Sequence, residues 1–242
     1  MTTRFSKSAG RSIVPGQWAL FVLVAGISSL FAQSKPPALI PGLGQHHHTI
    51  STKSPEAQRF LDQGLTLVFA FNHEGAARAF LRASELDPQS AMAFWGLALA
   101  LGRCINLDVD PPHEQAAYEA VQKALSLAPG ATESEQAYIQ ALAKRYSSDS
   151  KVDLRKRDAE YENAMRELSQ HYPDDLDAAT LYAESLMDLH PWKLWSLDGV
   201  RPKVLRKLLP CWSPCCGGIR TTLAQITTTS MPRKRPTILS GP

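Results

Sequence analysis

Apolar residues recur every three to four positions over residues 55–189, and short polar turns interrupt the pattern. In residues 60–88, FLDQGLTLVFAFNHEGAARAFLRASELDP, the small residues stand where two antiparallel helices would touch: Gly64, Ala76 and Ala83, with Leu67 and Phe80 between them and Pro88 closing the second helix. The pattern returns. A helix restarts at Ala91 with Phe94, Trp95, Leu97 and Leu101 on its apolar side, and Ala117, Val121, Ala124 and Pro129 repeat the offsets of Ala76, Phe80, Ala83 and Pro88. A looser unit over 133–173 places Tyr161, Met165, Leu168 and Pro173 on the same offsets. The predicted helices are 55–71, 74–86, 90–102, 113–127, 133–146, 154–171 and 175–189. Ser54 is a natural N-cap, with Pro55 at the first helical position and Glu56 in the first turn. Asp87, Asp110 and Asp174 sit beside prolines at helix boundaries, where short carboxylates can cap backbone groups.

Spacing and composition of these units match tetratricopeptide (TPR) helix pairs. Pro88 and Pro129 are 41 residues apart, against the usual ~34, and the excess falls in the loop RCINLDVDPP. In the third unit the extra length lies around SSDSKVD. The phrases NHEGAARAFLRASELDPQSAMAFWGLALALG, NLDVDPP, SEQAYIQALAKRYS and YPDDLDAATLYAESLMDL followed by PWKLW resemble a group of bacterial exported TPR proteins of largely unknown function, over residues 42–198. The resemblance implies an all-α, right-handed α-solenoid with more repeats than this chain holds, and it brings no catalytic residue. An ordinary helical bundle with Ala-rich faces is the alternative.

With 242 residues, 44% of them hydrophobic and 20% charged, the chain has room for one globular domain plus appendages. A net charge of +3, with the basic excess at the two ends, points away from nucleic acid. Residues 1–32 read as a signal peptide: Arg4, Lys7 and Arg11 precede the apolar run WALFVLVAGISSLF, and Ala32 offers a small residue for cleavage. Export to a periplasm is the expectation, and an uncleaved membrane anchor is the alternative. Residues 33–54 read as a Pro- and Gly-rich linker with a His triplet, 55–198 as the helical repeats, and 199–242 as an irregular tail. Three of the four cysteines, Cys211, Cys215 and Cys216, crowd into that tail, so neither a disulfide framework nor a zinc ribbon is indicated. The tail loses helical periodicity beyond Leu209. Shifted by one codon position from Val200, permissible codons encode a repeat's second helix ending in RRDP, so a frameshifted translation is expected. The last helix would then lack its partner and expose Leu181, Leu186 and Leu189, with poor solubility as the result.

Candidate chemistry is sparse. His46, His47 and His48 offer imidazole ligands for a transition metal, and His73 in the first inter-helix turn is a further candidate. His113 opens a later helix, and the shifted frame would add two more His four apart. The competing reading is a solvated triplet with His73 packed locally, because no carboxylate or Cys lies at a short fixed spacing. Asn106, Asp108 and Asp110 alternate as in a calcium loop but lack the Gly and distal Glu of an EF-hand, so capping is the simpler role. Trp192 and Trp195 suit either ligand stacking or the core of a following repeat. No nucleophile elbow, phosphate loop or catalytic dyad is present, so no enzyme is indicated. The function expected is that of an exported TPR scaffold or adaptor holding a protein or peptide in its concave groove, with Asn72, Arg103 and Arg145 as partner-binding residues. The alternatives are a metal-binding protein using His46–His48 and a non-functional product of a frameshifted gene.

Overall fold

A computed structural model of the chain describes residues 37–106, 108–149 and 151–191. Residues 1–32, expected to be a signal peptide, and Trp192, Trp195, the cysteine cluster and the tail expected to be irregular lie outside the described residues. The described part is all-α. Its helices are α1 (Pro55–Phe69), α2 (His73–Leu86), α3 (Ala91–Leu101), α4 (Pro111–Leu127), α5 (Glu133–Ala143), α6 (Leu154–His171) and α7 (Leu176–Asp188), with a 3-10 turn over Ala128–Gly130. These follow the periodicity-based boundaries closely. No helix among the described residues is long and apolar enough to cross a membrane.

Local chemistry sets the helix starts. The Ser54 side chain accepts from Ala57 N–H with Pro55 just inside the helix, Asn72 accepts from Gly75 N–H, and Asp110 accepts from His113 N–H. Thr132 and Glu135 form a reciprocal capping box at α5. At α7 the capping residue is Asp175, not the Asp174 expected from the sequence; it accepts from the N–H groups of Asp177 and Ala178. At the end of α1 the chain turns through Phe71 at φ 59°. Phe71 N–H bonds Val68 C=O and Asn72 N–H bonds Leu67 C=O, the double closure that usually selects glycine.

Each helix packs on its successor, and α1 on α3 and α3 on α5 as well, so α1, α3 and α5 stand side by side. α3 is apolar around its whole circumference, and all of its residues are buried. The positions read from the repeat pattern are interior: Ala76, Phe80, Ala83, Ala117, Val121 and Ala124 are wholly buried. Tyr161, Met165 and Leu168 are also buried, on the side of α6 that meets its neighbours.

Phe80 shows why small residues are required. A Cβ at Gly64 of α1 would come within 2.6 Å of its ring, and a Cβ at Gly96 of α3 within 2.3 Å. The ring thus lies against two bare stretches of helix backbone. Below it Ala57, Phe60, Ala79, Ala83 and Ala93 make a continuous buried cluster among α1, α2 and α3.

Leu181 and Leu186 of α7 are buried, at 1% and 2% exposure, and Leu189 is half-buried. The bare apolar face expected on the last helix is therefore absent at these positions. Leu181 shares a small cavity with Val68, Phe69 and Phe71 from the end of α1, which brings the first and last helices together on one side.

Gly96→Ala is expected to lower stability by up to about 2 kcal/mol in urea denaturation. Overpacking a buried ring costs roughly 1–3 kcal/mol, which outweighs the ~1 kcal/mol gain in helix propensity. Unchanged stability would mean that Phe80 has room to move.

Candidate functional site

The candidate site forms where residues 38–53 meet side chains of α1, α5 and the start of α7. These residues, read from the sequence as a linker, are held by side chains of the helical body. A segment outside helix and sheet leaves most of its N–H and C=O groups unpaired within itself, so any surface that holds it must supply partners. Helix α1 supplies most of them. Gln63 accepts from Ile40 N–H at 2.8 Å and donates to Ala38 C=O at 3.2 Å. Gln58 donates to His48 C=O at 2.8 Å and accepts from Ile50 N–H at 3.1 Å. Asp62 accepts from His48 N–H at 3.0 Å. From α5, Glu135 accepts from both Ser51 N–H and Ser51 Oγ at 2.6 Å. Asp87, after α2, accepts from Thr52 Oγ1 at 2.6 Å. Gly42 and Gly44, at φ 83° and 94°, let the strand turn between Pro41 and the His triplet.

The triplet divides between two helices. His47 points to the rim, its Nδ1 2.8 Å from Asp62 Oδ2. His46 Nε2 and His48 Nδ1 reach opposite oxygens of one carboxylate, Asp177 of α7, at 2.8 and 2.7 Å. Asp175 lies beside it and accepts from Tyr138 Oη at 2.8 Å. The Tyr138 ring stands edge-on to both His48 and Trp95, and the His46 ring edge-on to Phe69.

These groups bias one another's charge. Burial alone pushes His48 down, but its hydrogen bond to Asp177 and the charges of Asp177, Asp175 and Asp62 outweigh this and raise it. Burial works against Asp177 too, yet the hydrogen bonds from His46 and His48 pull its carboxyl down to about 2. At Glu135, burial is likewise overcome by the donors of Ser51 and Thr132, and the carboxyl is lowered.

His73, a candidate ligand by composition, is not drawn into this cluster. It is largely buried, beside Phe71, with the Ala100 carbonyl near its ring but outside good hydrogen-bond geometry. Burial, together with the charge of Arg145, lowers its pKa and keeps the ring neutral. His113 pairs with Asp110 at the surface, and Asp110 serves as the α4 cap rather than with Asn106 and Asp108 in an ion loop.

Of the expected partner-binding residues, Asn72 is exposed but engaged as a helix cap. Arg145 is buried, at 1% exposure, and donates to Asp158 and Asp188 while its guanidinium covers the Tyr161 ring. Arg103 donates to Glu114 and Asp158. Both arginines tie the ends of α3 and α5 to α4, α6 and α7, and so they join helices rather than face the strand. They border a cavity of about 210 Å³ that Asn106, Asp108, Asp158 and Asp188 also line.

Nearby, burial and the negative charge of Asp188, opposed by Arg145, push the Glu184 carboxyl up to about 8. The residues the sequence did not single out are Gln58, Asp62, Gln63, Glu135, Asp175 and Asp177. The local signals were the Gln58–Asp62 pair at helical spacing on the polar side of α1 and the Thr132-x-x-Glu135 capping-box spacing at α5.

Compared with protein-family models, curated proteins and solved structures, the chain matches none. Function is therefore argued from the geometry of this surface.

Glu184 sets a pH dependence. Between its ordinary value of 4.5 and about 8 the folded chain keeps a proton that the unfolded chain has lost, so stability falls as pH rises through that window. Glu184→Gln, which mimics the protonated carboxyl, should match the parent near pH 4.5. Above pH 8 it should be more stable by about 1 kcal/mol or more. Parallel stability–pH curves from denaturant titration would refute this.

Proposed function

We propose that the protein is a TPR-type helical scaffold that holds an extended peptide across its odd-numbered helices, and that residues 38–53 are its resident occupant. The observation that carries this reading is the pairing of helix side chains with main-chain groups. Gln58, Asp62, Gln63 and Glu135 bind the backbone of Ala38, Ile40, His48, Ile50 and Ser51. Contacts to backbone accept many sequences, whereas the Asp177 and Asp62 contacts to imidazoles select for histidine. Such a division between main-chain affinity and side-chain selectivity is how extended peptides are recognised on protein surfaces. The buried ion pairs of Arg103 and Arg145 serve the same end by fixing the helices that present these side chains. The helix-pair spacing supports the TPR assignment, and the apolar run of residues 1–32 supports an exported location.

The test replaces residues 38–53 by a Gly/Ser linker of equal length and titrates the chain, in EDTA, with a synthetic peptide of the native 38–53 sequence. The peptide should bind the replaced chain with a micromolar Kd and the parent far more weakly. Gln58→Ala with Asp62→Ala should weaken binding to the replaced chain by about tenfold, as expected for loss of two or more part-buried hydrogen bonds. A peptide that binds neither chain would refute the reading.

A further inference from the structure

We infer that His46, His48, Asp177 and Asp175 form a binding site for one divalent transition-metal ion of the zinc class, which fastens the extended strand to α7. The donor set is that of such ions: two imidazole nitrogens and two carboxylates. One ligand atom each from His48, Asp175 and Asp177 already lies within 4.8 Å of the others, and His46 Nε2 is 2.8 Å from Asp177 Oδ1. Tetrahedral zinc with bonds of about 2.0–2.2 Å places its donors roughly 3.3 Å apart. The group therefore closes on an ion through side-chain adjustments on the order of 1 Å.

The ligands are oriented before any ion arrives, as metal ligands are when a second layer of hydrogen bonds holds them. The His48 backbone is held at both its N–H and its C=O, by Asp62 and Gln58. One oxygen of Asp175 is fixed by the N–H groups of Asp177 and Ala178, and the other by Tyr138 Oη. Charge points the same way. With neutral imidazoles the four ligands carry two negative charges, which a divalent ion cancels in a place shielded from water: the side chains of His48 and Asp177 are 13% and 14% exposed.

His47 is excluded from the ligand set because it turns outward to Asp62. That separates this site from simple chelation by consecutive surface histidines, which would use all three rings and no carboxylate.

The test uses the full chain, stripped with EDTA and titrated with zinc chloride by calorimetry, with metal content confirmed after dialysis. One ion per chain at micromolar or lower Kd is expected. His48→Ala and Asp177→Asn should each weaken binding at least tenfold, and His47→Ala, which removes only a contact that holds the segment, by far less. Cobalt(II) substitution should give the intense visible bands of a four-coordinate site. Circular dichroism of each variant checks that the helices remain, and the parent titration stands whether or not a variant folds. Either of two results would overturn the assignment: no stoichiometric ion in the parent, or undiminished binding in a folded Asp175→Asn/Asp177→Asn double variant, which would place the ion on the triplet alone. Peptide exchange in EDTA is a separate measurement, so failure here leaves the groove reading standing.

Discussion

The fit of the Phe80 ring between Gly64 and Gly96 sets the spacing of the first three helices. Helix backbones approach this closely only where a side chain is missing, and an aromatic ring then fills the gap at interior density. The spacing of α1 and α3 follows from it, and the wholly apolar α3 in turn packs on α5, so that Glu135 comes to share a surface with the polar side of α1. Gln58, Asp62 and Gln63 on α1 and Glu135 on α5 gain a common purpose only because the helices between them stand at this distance. Polar recognition on the surface thus rests on small residues in the core.

Most of the fold was legible in the sequence because its causes are local. Ser54 with Pro55 and Asp110 with Pro111 are start signals whose donors lie within three residues, and Asn72, expected in the groove, is a cap of the same local kind. The alanine spacing reports helix contact directly. Where the reading slipped, neighbours competed: Asp174 and Asp175 are equally able caps, and only backbone geometry chose between them.

The site was half legible. The histidines were visible as a cluster, but Asp177 follows His48 by 129 residues and meets it only because α7 lies against the start of the chain. No local spacing encodes that meeting. The arginines illustrate the opposite difficulty. Arg103 and Arg145 look like exposed groove residues at the ends of helices, yet their carboxylate partners, Glu114, Asp158 and Asp188, come from three other helices and draw them inward. Removing one member of such a network strands a buried charge, whereas the assembled network is close to neutral in cost. Its value here is geometric, since it anchors the end of α7, the helix whose first turn carries Asp175 and Asp177.

The strand at 38–53 belongs to the same chain as the surface it covers and joins α1 directly through Ser54. A tether this short confers a local concentration on the order of millimolar. A free rival making identical contacts at micromolar strength is therefore handicapped about a thousandfold, and it displaces the strand only when abundant or when it makes contacts the strand lacks. Under the proposed peptide-holding role, covalent connection acts as a threshold that weak, common peptides do not pass and only a superior sequence does.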